Sequence, residues 1–226
     1  MFPKKLQQKL NERQANNALR ELGQNKNLID FSSNDYLGFA KSKTIFDKAH
    51  KLLVERKYIQ NGATGSRLLS GNHALYQDVE TTLCKFHNSE TALVFNSGYD
   101  ANIGFFSSVP QRNDIILYDE LIHASIRDGI SMSHAKSYKF KHNDLRDLDE
   151  ILKRVQHDKN EIYVVTESVF SMDGDSPDLV ELSNICKIHN ANLIIDEAHA
   201  VGVFGNNGCG ITQNLKIEDQ IFARIV

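Results

Sequence analysis

The most informative stretch of this chain is Leu193-Ile194-Ile195-Asp196-Glu197-Ala198-His199. Its three consecutive apolar residues are typical of a strand that is buried on both faces of a sheet. Similar short apolar runs occur at Leu93-Val94-Phe95, Ile115-Ile116-Leu117 and Ile162-Tyr163-Val164-Val165. Helix-length amphipathic stretches separate these runs. We therefore predict an α/β fold, with a mostly parallel sheet that is covered by helices on both faces.

The rest of the chain is assigned around this sheet. Apolar spacing predicts helices at about 4–22, 43–58, 73–87 and 144–155, and Ser176-Pro177 is typical of an N-cap followed by the first helical residue. These elements predict an N-terminal segment at residues 1–40 and one large domain at residues 41–226. Residues 221–226 have the pattern of another buried strand, which is a poor place for a natural terminus. We therefore expect the chain to be a fragment.

Composition excludes several classes of protein. The 226 residues are 41% hydrophobic and 24% charged, which is ordinary for a folded globular protein. A net charge of −3 provides no strong attraction to nucleic acid or to an anionic membrane. No apolar run approaches the roughly 18 residues of a membrane span, and the N-terminus lacks the apolar core of a secretion signal. We expect a cytoplasmic protein whose scattered cysteines are reduced thiols, namely Cys84, Cys186 and Cys209.

The acidic residue after the last predicted strand allows two chemistries. An Asp-Glu-Ala-His sequence occurs in P-loop ATPases, but those also need a Gly-Lys dipeptide in the phosphate-binding loop, and this chain contains none. The other chemistry is a carboxylate that faces the pyridine nitrogen of pyridoxal phosphate (PLP) and keeps it protonated. Asp196 suits that role, and His199 could reach the phenolic oxygen of the same ring. The plain alternative is an aspartate that caps a loop beside a solvated histidine.

Polar residues also follow the other predicted strands. Ser97-Gly98 could offer helix N–H groups to a phosphate, or could be an N-cap alone, and Tyr99 is more typical of core packing. His123 could stack on a planar cofactor or simply begin a helix. The hydroxyl- and acid-rich residues 166–175 indicate a polar site or an elaborate loop. No metal site is predicted. Four further histidines lack metal-ligand spacing and are assigned to surface or core: His134, His142, His157 and His189.

Seven stretches together resemble one family, the α-oxoamine synthases of the fold-type-I PLP enzymes. They occur in family order, at Ser32–Gly38, Gly62–Gly71, Asn96–Tyr99, His123–Ser125, His142–Asp144, Glu167–Asp175 and Asp196–His199. The resemblance implies a PLP-dependent decarboxylative condensation of an amino acid with an acyl thioester. It favours the biotin-pathway branch, which uses L-alanine and pimeloyl-CoA or its acyl-carrier-protein equivalent. 2-Amino-3-ketobutyrate ligase, serine palmitoyltransferase and a non-catalytic partner subunit remain alternatives.

The resemblance also implies roles for single residues. The catalytic residues would be Asp196 on the pyridine nitrogen, His123 stacked on the ring, and His199 near the ring hydroxyl. Further contacts to the cofactor would come from Ser171 at the ring hydroxyl and from Ser97, Gly98 and Tyr99 near the phosphate. Asn34 would face the substrate, and Arg20 would face the carboxylate of the acyl substrate.

Two further expectations come from the resemblance. The glycine-rich residues 62–71 resemble the loop that reaches the partner's active site in family dimers, so a homodimer is expected. The family's Schiff-base lysine would lie just beyond Val226, and Lys216 does not replace it, because it sits in a polar stretch. We therefore expect this fragment alone to be catalytically inactive.

Overall fold

The computed structural model describes residues 2–23, 28–155 and 160–226. Their contacts define two compact units, Met1–Asn34 and Asp35–Val226, and each is described by itself. The described part of the first unit contains one helix, α1 (Lys4–Ala15), which is shorter than the predicted 4–22. His157, one of the histidines assigned to surface or core, lies outside the described residues.

A five-stranded sheet forms the centre of the second unit. Its strands are β1 (Ile115–Asp119), β2 (Lys136–Phe140), β3 (Ile162–Glu167), β4 (Asn192–Asp196) and β5 (Ala223–Ile225). Their order in the sheet is β2-β1-β3-β4-β5, and every neighbouring pair is parallel. All carboxyl ends therefore lie along one edge. The strand order reverses between β1 and β3, which is the point where open α/β sheets bind their ligands.

Helices connect the strands. In the second unit these are α2 (Lys43–Glu55), α3 (Ala74–His87), α4 (Gly98–Ser108), α5 (Ala124–Met132), α6 (Leu145–Val155), α7 (Leu179–Ile188) and α8 (Ile211–Asn214), with 3₁₀ turns at Phe39–Lys41, Asn206–Gly208 and Glu218–Gln220. Within residues 2–23, 28–155 and 160–226, no helix has both the length and the apolar character that a membrane span requires.

Two apolar layers cover the sheet, because alternate strand residues point to opposite faces. On one face Ile116, Val165 and Ile194 pack with α4 and α5. On the other face Leu117, Val164 and Leu193 pack with α6 and α7. The first pair of helices packs closely: a Cβ at Gly129 of α5 would lie 2.8 Å from the carbonyl oxygen of Asn102 on α4. The predicted α/β architecture, with helices on both faces, is confirmed.

One strand prediction is wrong, and one strand of the sheet was not predicted. Residues 93–95 do not form a strand: Leu93 is 68% exposed, and the N–H of Val94 donates to Glu80 Oε1 at 3.0 Å instead of joining a ladder. Conversely, β2 was not predicted, because four of its five residues are exposed and it lacks a continuous apolar run. The pattern used to find strands detects only strands that are buried on both faces.

Some predicted helix boundaries also need correction. The N-cap before α7 is Asp178 rather than Ser176, because the Asp178 side chain accepts the N–H of Glu181 at 3.0 Å. Pro177 therefore precedes the cap instead of occupying the first helical position. Helix α2 ends at Glu55, before the predicted residue 58, and Lys57 then adopts a positive φ of 57°.

Candidate active site at the carboxyl edge of the sheet

Acidic side chains end three adjacent strands of the sheet. Asp119 is the last residue of β1, Glu167 of β3 and Asp196 of β4, and all three are buried. Glu167 and Asp196 are direct register partners in the parallel ladder. Burying carboxylates is costly unless they are hydrogen-bonded or paired with cations. The contacts of each group therefore indicate what this edge can bind.

Asp196 is held in place by neutral donors. Its Oδ2 atom accepts Asn102 Nδ2 at 3.0 Å, and its Oδ1 atom accepts the N–H of Ala198 at 2.9 Å. The side chain is only 6% exposed, yet none of the described lysine, arginine or histidine side chains forms an ion pair with it. A buried, hydrogen-bonded carboxylate of this kind suits a cationic group of a ligand.

Asn102 links Asp196 to His123 through Ser125. The Asn102 amide nitrogen donates both to Asp196 and to Ser125 Oγ, at 3.0 Å each. Ser125 Oγ then lies 2.7 Å from His123 Nδ1, which also accepts the N–H of Ser125 at 3.2 Å. Because Nδ1 is an acceptor in this chain of bonds, the ring proton of neutral His123 resides on Nε2.

Glu167 connects two loops of the site. It accepts the backbone N–H of His123 at 2.5 Å and also that of Ser171. Burial and the charge of Asp196 raise the pKa of Glu167 to about 7, and the two backbone donors offset part of this rise. Glu167 is therefore poised to exchange a proton near neutral pH while it holds the residues after β1 and β3.

The residues predicted near a phosphate lie at the start of α4. Ser97 is the N-cap of this helix, and its Oγ accepts the N–H of Asp100 at 3.1 Å. A Cβ at Gly98 would meet no atom within 4 Å, so there is open space beside the helix N-terminus. Tyr99 is not in the core: it is 44% exposed, and its hydroxyl hydrogen-bonds to Asp128.

The remaining predicted site residues have different surroundings. His199 follows β4 by three residues, and its Nδ1 atom lies 2.7 Å from the hydroxyl of Tyr36. Ser171 is exposed, in the turn after β3. Arg20 and Asn34 belong to the first unit, Met1–Asn34. Their roles, like those of the other predicted site residues, stay predictions.

Sequence reasoning missed several residues of this edge. Asn102, which joins Asp196 to Ser125, was not singled out, although a buried asparagine in the apolar helix α4 is a usable signal. Ser125 was quoted only as part of the stretch His123–Ser125, without a role of its own. His142, assigned to surface or core, instead bridges two carboxylates, those of Asp119 and Asp175. Within the described ranges, no three histidine, cysteine, aspartate or glutamate side chains are grouped so that they could hold a metal ion.

Comparisons with known proteins identify the family of this chain. Residues 26–222 match the family "Aminotransferase class I and II". A relative from Bacillus cereus, which carries the provisional name 8-amino-7-oxononanoate synthase, is 42% identical over 88% of this chain and 49% of its own length. The chain thus spans about half the length of the curated relatives that it matches.

Solved structures give the same result. A serine palmitoyltransferase from S. paucimobilis, solved with a bound PLP–myriocin aldimine, matches with a TM-score of 0.83 and 28% identity, over 96% of this chain and 57% of that one. An 8-amino-7-oxononanoate synthase from Francisella tularensis matches with a TM-score of 0.66 and 32% identity, over 84% of this chain and 51% of that one. The chain therefore belongs to the aminotransferase class I and II family and, within it, to the PLP-dependent α-oxoamine synthases.

Proposed function

We propose that the whole protein condenses L-alanine with a pimeloyl thioester, with loss of carbon dioxide, to give 8-amino-7-oxononanoate for biotin biosynthesis. The observation that carries this proposal is the buried Asp196 carboxylate, which is fixed by Asn102 and connected through Ser125 to His123. The names of the sequence relatives support the choice of reaction. PLP would supply the electron sink that stabilises negative charge at the α-carbon of the amino acid.

The residues present fit this cofactor. Asp196 is buried and anionic, and it has no cationic partner among the described side chains, so a protonated pyridine nitrogen would compensate its charge. Its two donors, Asn102 and the N–H of Ala198, leave the carboxylate with further capacity to accept a hydrogen bond. Asp196 would thus hold the proton on the ring nitrogen, and Asn102 would orient Asp196.

His123 would act from the other end of the same chain of hydrogen bonds. Ser125 fixes Nδ1 as an acceptor, which leaves Nε2 with the ring proton. We assign His123 to the cofactor ring as the stacking residue, with Nε2 as the atom available for hydrogen bonding to a substrate. Glu167 accepts the backbone N–H of His123 and keeps this loop against β3.

Three further contacts complete the cofactor assignment. His199, oriented by the Tyr36 hydroxyl, and Ser171 would meet the ring hydroxyl. The first N–H groups of α4, at Gly98 and Tyr99, together with Ser97, would receive the phosphate, since early helix N–H groups have no partner within the helix. We assign the covalent lysine of the family to none of the described residues.

The choice of substrate rests on less direct support. Asn34 and Arg20 are proposed to face the substrate and its acyl carboxylate, as the resemblance implies. One observation favours a second candidate: a serine palmitoyltransferase matches the fold with the higher TM-score, 0.83 against 0.66 for the 8-amino-7-oxononanoate synthase. That candidate would use L-serine and a long acyl thioester in the same type of condensation.

We also propose a cytoplasmic homodimer. The loop at residues 62–71 supports this assignment, because its tip presents Leu68 and Leu69, which are 96% and 86% exposed. The loop itself is firmly held: Arg67 forms two hydrogen bonds with Glu80, at 2.5 and 3.0 Å, and its guanidinium lies 4.2 Å from the ring centroid of Tyr76. A rigid loop with an apolar tip suits a permanent contact with a second copy.

The experiment uses full-length protein purified with PLP. The visible absorption of the cofactor is recorded while L-alanine, glycine or L-serine is added, and products are then identified by mass spectrometry with pimeloyl, acetyl and palmitoyl thioesters. The proposal expects the largest response to alanine and a product only with the pimeloyl thioester. A response to serine with palmitoyl product would transfer the assignment to serine palmitoyltransferase, and no cofactor absorption would favour a non-catalytic subunit.

A matched pair of variants tests the site itself. We expect Asp196→Asn to weaken PLP binding by about 10- to 100-fold, because it removes the charge that faces the ring nitrogen. The control is Asp219→Asn, which makes the same chemical change at an exposed residue of the Glu218–Gln220 turn. Equal PLP affinity in the two variants would contradict the role given to Asp196.

A further inference from the structure

The His142 ring lies between two carboxylates that belong to different parts of the second unit. Its Nδ1 atom is 2.9 Å from Oδ1 of Asp119, the last residue of β1. Its Nε2 atom is 2.9 Å from Oδ2 of Asp175, in the loop between β3 and α7. The edge of the ring also packs against Phe170 of that loop, with ring centroids 4.5 Å apart. His142 therefore joins the end of β1 to the β3–α7 loop.

Both contacts require a protonated ring. Ionised carboxylates only accept hydrogen bonds, whereas neutral imidazole donates from one nitrogen and accepts at the other. With Asp119 and Asp175 both ionised, His142 can satisfy both only as an imidazolium. Burial lowers the pKa of His142, but the hydrogen bonds and charges of these two aspartates outweigh it, so that the pKa is raised overall. The third acid nearby, Glu120, accepts the backbone N–H of His142 at 3.3 Å and is paired with Lys139.

Asn143 strengthens the same connection. Its backbone N–H donates to Asp119 Oδ2 at 2.9 Å, and its side-chain amide donates to Asp175 Oδ2 at 2.6 Å. Asn143 has a φ of +53°, in the left-handed region that asparagine tolerates better than most residues. With the backbone in this conformation, His142 and Asn143 both contact the carboxylates of Asp119 and Asp175.

The loop at residues 170–175, which His142 and Asn143 contact, is stabilised by hydrogen bonds between its own backbone groups and contains Ser171. The N–H of Phe170 donates to the carbonyl of Asp175 at 3.0 Å, and the N–H of Gly174 donates to the carbonyl of Phe170 at 2.9 Å. Gly174 has a φ of +73°, which lets the loop turn back. Ser171 lies inside this turn, so the position of its side chain follows the position of the loop as a whole.

We propose that protonated His142 is a positioning residue, which clamps the loop at residues 170–175 to the carboxyl end of β1 and thereby holds Ser171 at the cofactor edge. Only the role of Ser171 as a contact to the cofactor rests on the proposed function. The clamp itself is a property of the contacts among His142, Asp119 and Asp175. It is complete below the pKa of His142 and is weakened as the pH rises through that value, because the neutral ring can serve only one of the two carboxylates while the two hydrogen bonds of Asn143 remain.

The test measures the clamp directly in the full-length protein. The pKa of His142 is obtained by NMR with selectively labelled histidine, and amide hydrogen exchange is followed at Phe170 and Gly174. We expect a pKa above the ordinary 6.5 and a loss of protection as the pH passes it, beyond the intrinsic rise in exchange rate. In His142→Gln at pH 6, we expect protection to fall about tenfold or more. The step at the pKa measured for His142 should be missing, whereas any step from Glu167, which accepts the N–H of Ser171, is common to both proteins. The control is His134→Gln, at an exposed histidine before β2.

A second variant keeps the inference falsifiable if His142→Gln does not fold. Asp175→Asn removes one charge at nearly constant shape and should lower the pKa of His142, whereas an unchanged pKa would overturn the proposal. Protection that is equal in wild type and His142→Gln would overturn it too. Neither readout depends on turnover. An inactive protein with an intact clamp would therefore contradict only the proposed reaction, and an active protein without the pH-dependent step would contradict only the clamp.

Discussion

The burial of Glu167 beside Asp196 makes the stability of the fold depend on pH in a way that a single substitution should remove. The Glu167 side chain is 2% exposed, and its pKa of about 7 compares with an ordinary 4.5. A carboxyl whose pKa is raised on folding is most favourable below its unfolded pKa, where it is protonated in both states. Its contribution is then lost as the pH rises from about 4.5 through about 7.

The size of this effect follows from the two pKa values. A rise from 4.5 to about 7, at about 1.4 kcal/mol per pH unit, corresponds to roughly 3 kcal/mol of stability lost between pH 4 and pH 9. Glu167→Gln is never ionised, so it should not show this loss. Its amide oxygen can still accept the N–H of His123. All other titrating groups are common to both proteins, and the difference between their pH dependences isolates Glu167.

The assay is chemical denaturation of wild type and Glu167→Gln at pH 5, 7 and 9, without added cofactor. Relative to wild type, the variant should gain roughly 2–3 kcal/mol of stability from pH 5 to pH 9, because a small part of the wild-type loss already occurs below pH 5. Infrared difference spectra should show a protonated carboxyl that titrates near pH 7 in wild type and is missing from the variant. Parallel pH dependences of the two proteins would refute the argument that Glu167 is protonated by burial beside Asp196.

Three further predictions concern packing and hydrogen bonding. Asn102→Ala should leave Asp196 without its side-chain donor and weaken PLP binding by about tenfold, measured by fluorescence titration; an unchanged affinity would contradict the orienting role of Asn102. Glu197→Ala should cost about 3–5 kcal/mol in denaturant unfolding, because Arg224 loses its ion-pair partner and the N–H groups of Ile211 and Thr212 lose their acceptor; a loss below about 1 kcal/mol would contradict this. Leu152→Ala should cost about 2–5 kcal/mol, whereas Leu68→Ala, at a 96% exposed position, should change the unfolding free energy of a single subunit little.

The sheet could be predicted from sequence where its strands are buried on both faces. The runs at β1, β3 and β4 are continuous and apolar because helices cover both sides, and the burial of these strands agrees with that pattern. The run at residues 93–95 has the same apolar composition, but it pairs with no strand of the described sheet. Composition alone does not show whether a segment pairs with a neighbouring strand. Strand β2 has a partner but little burial, so its pairing with β1 leaves no apolar signal.

The candidate site was predictable in part, for a related reason. Asp196 stands directly after a buried strand, and its neighbourhood follows from the general rule for parallel sheets. Asn102 and His142 act through contacts with residues 94 and 23 positions away, and such contacts depend on how helices and loops return to the edge. His142 was therefore assigned to surface or core, because no other histidine lies at metal-ligand spacing from it in the sequence. The fold instead places it between the carboxylates of Asp119 and Asp175.

Strand β2 has a further consequence, which concerns aggregation. It lies at one end of the strand order, so one side of its backbone is not paired within the described sheet. Unpaired strand edges are templates for the addition of strands from other molecules. Here Lys136 and Lys139 are exposed on this strand, and a second copy pairing with it would bring like charges together. The polar composition that hides β2 from sequence analysis thus also protects the open edge of the sheet against misassembly.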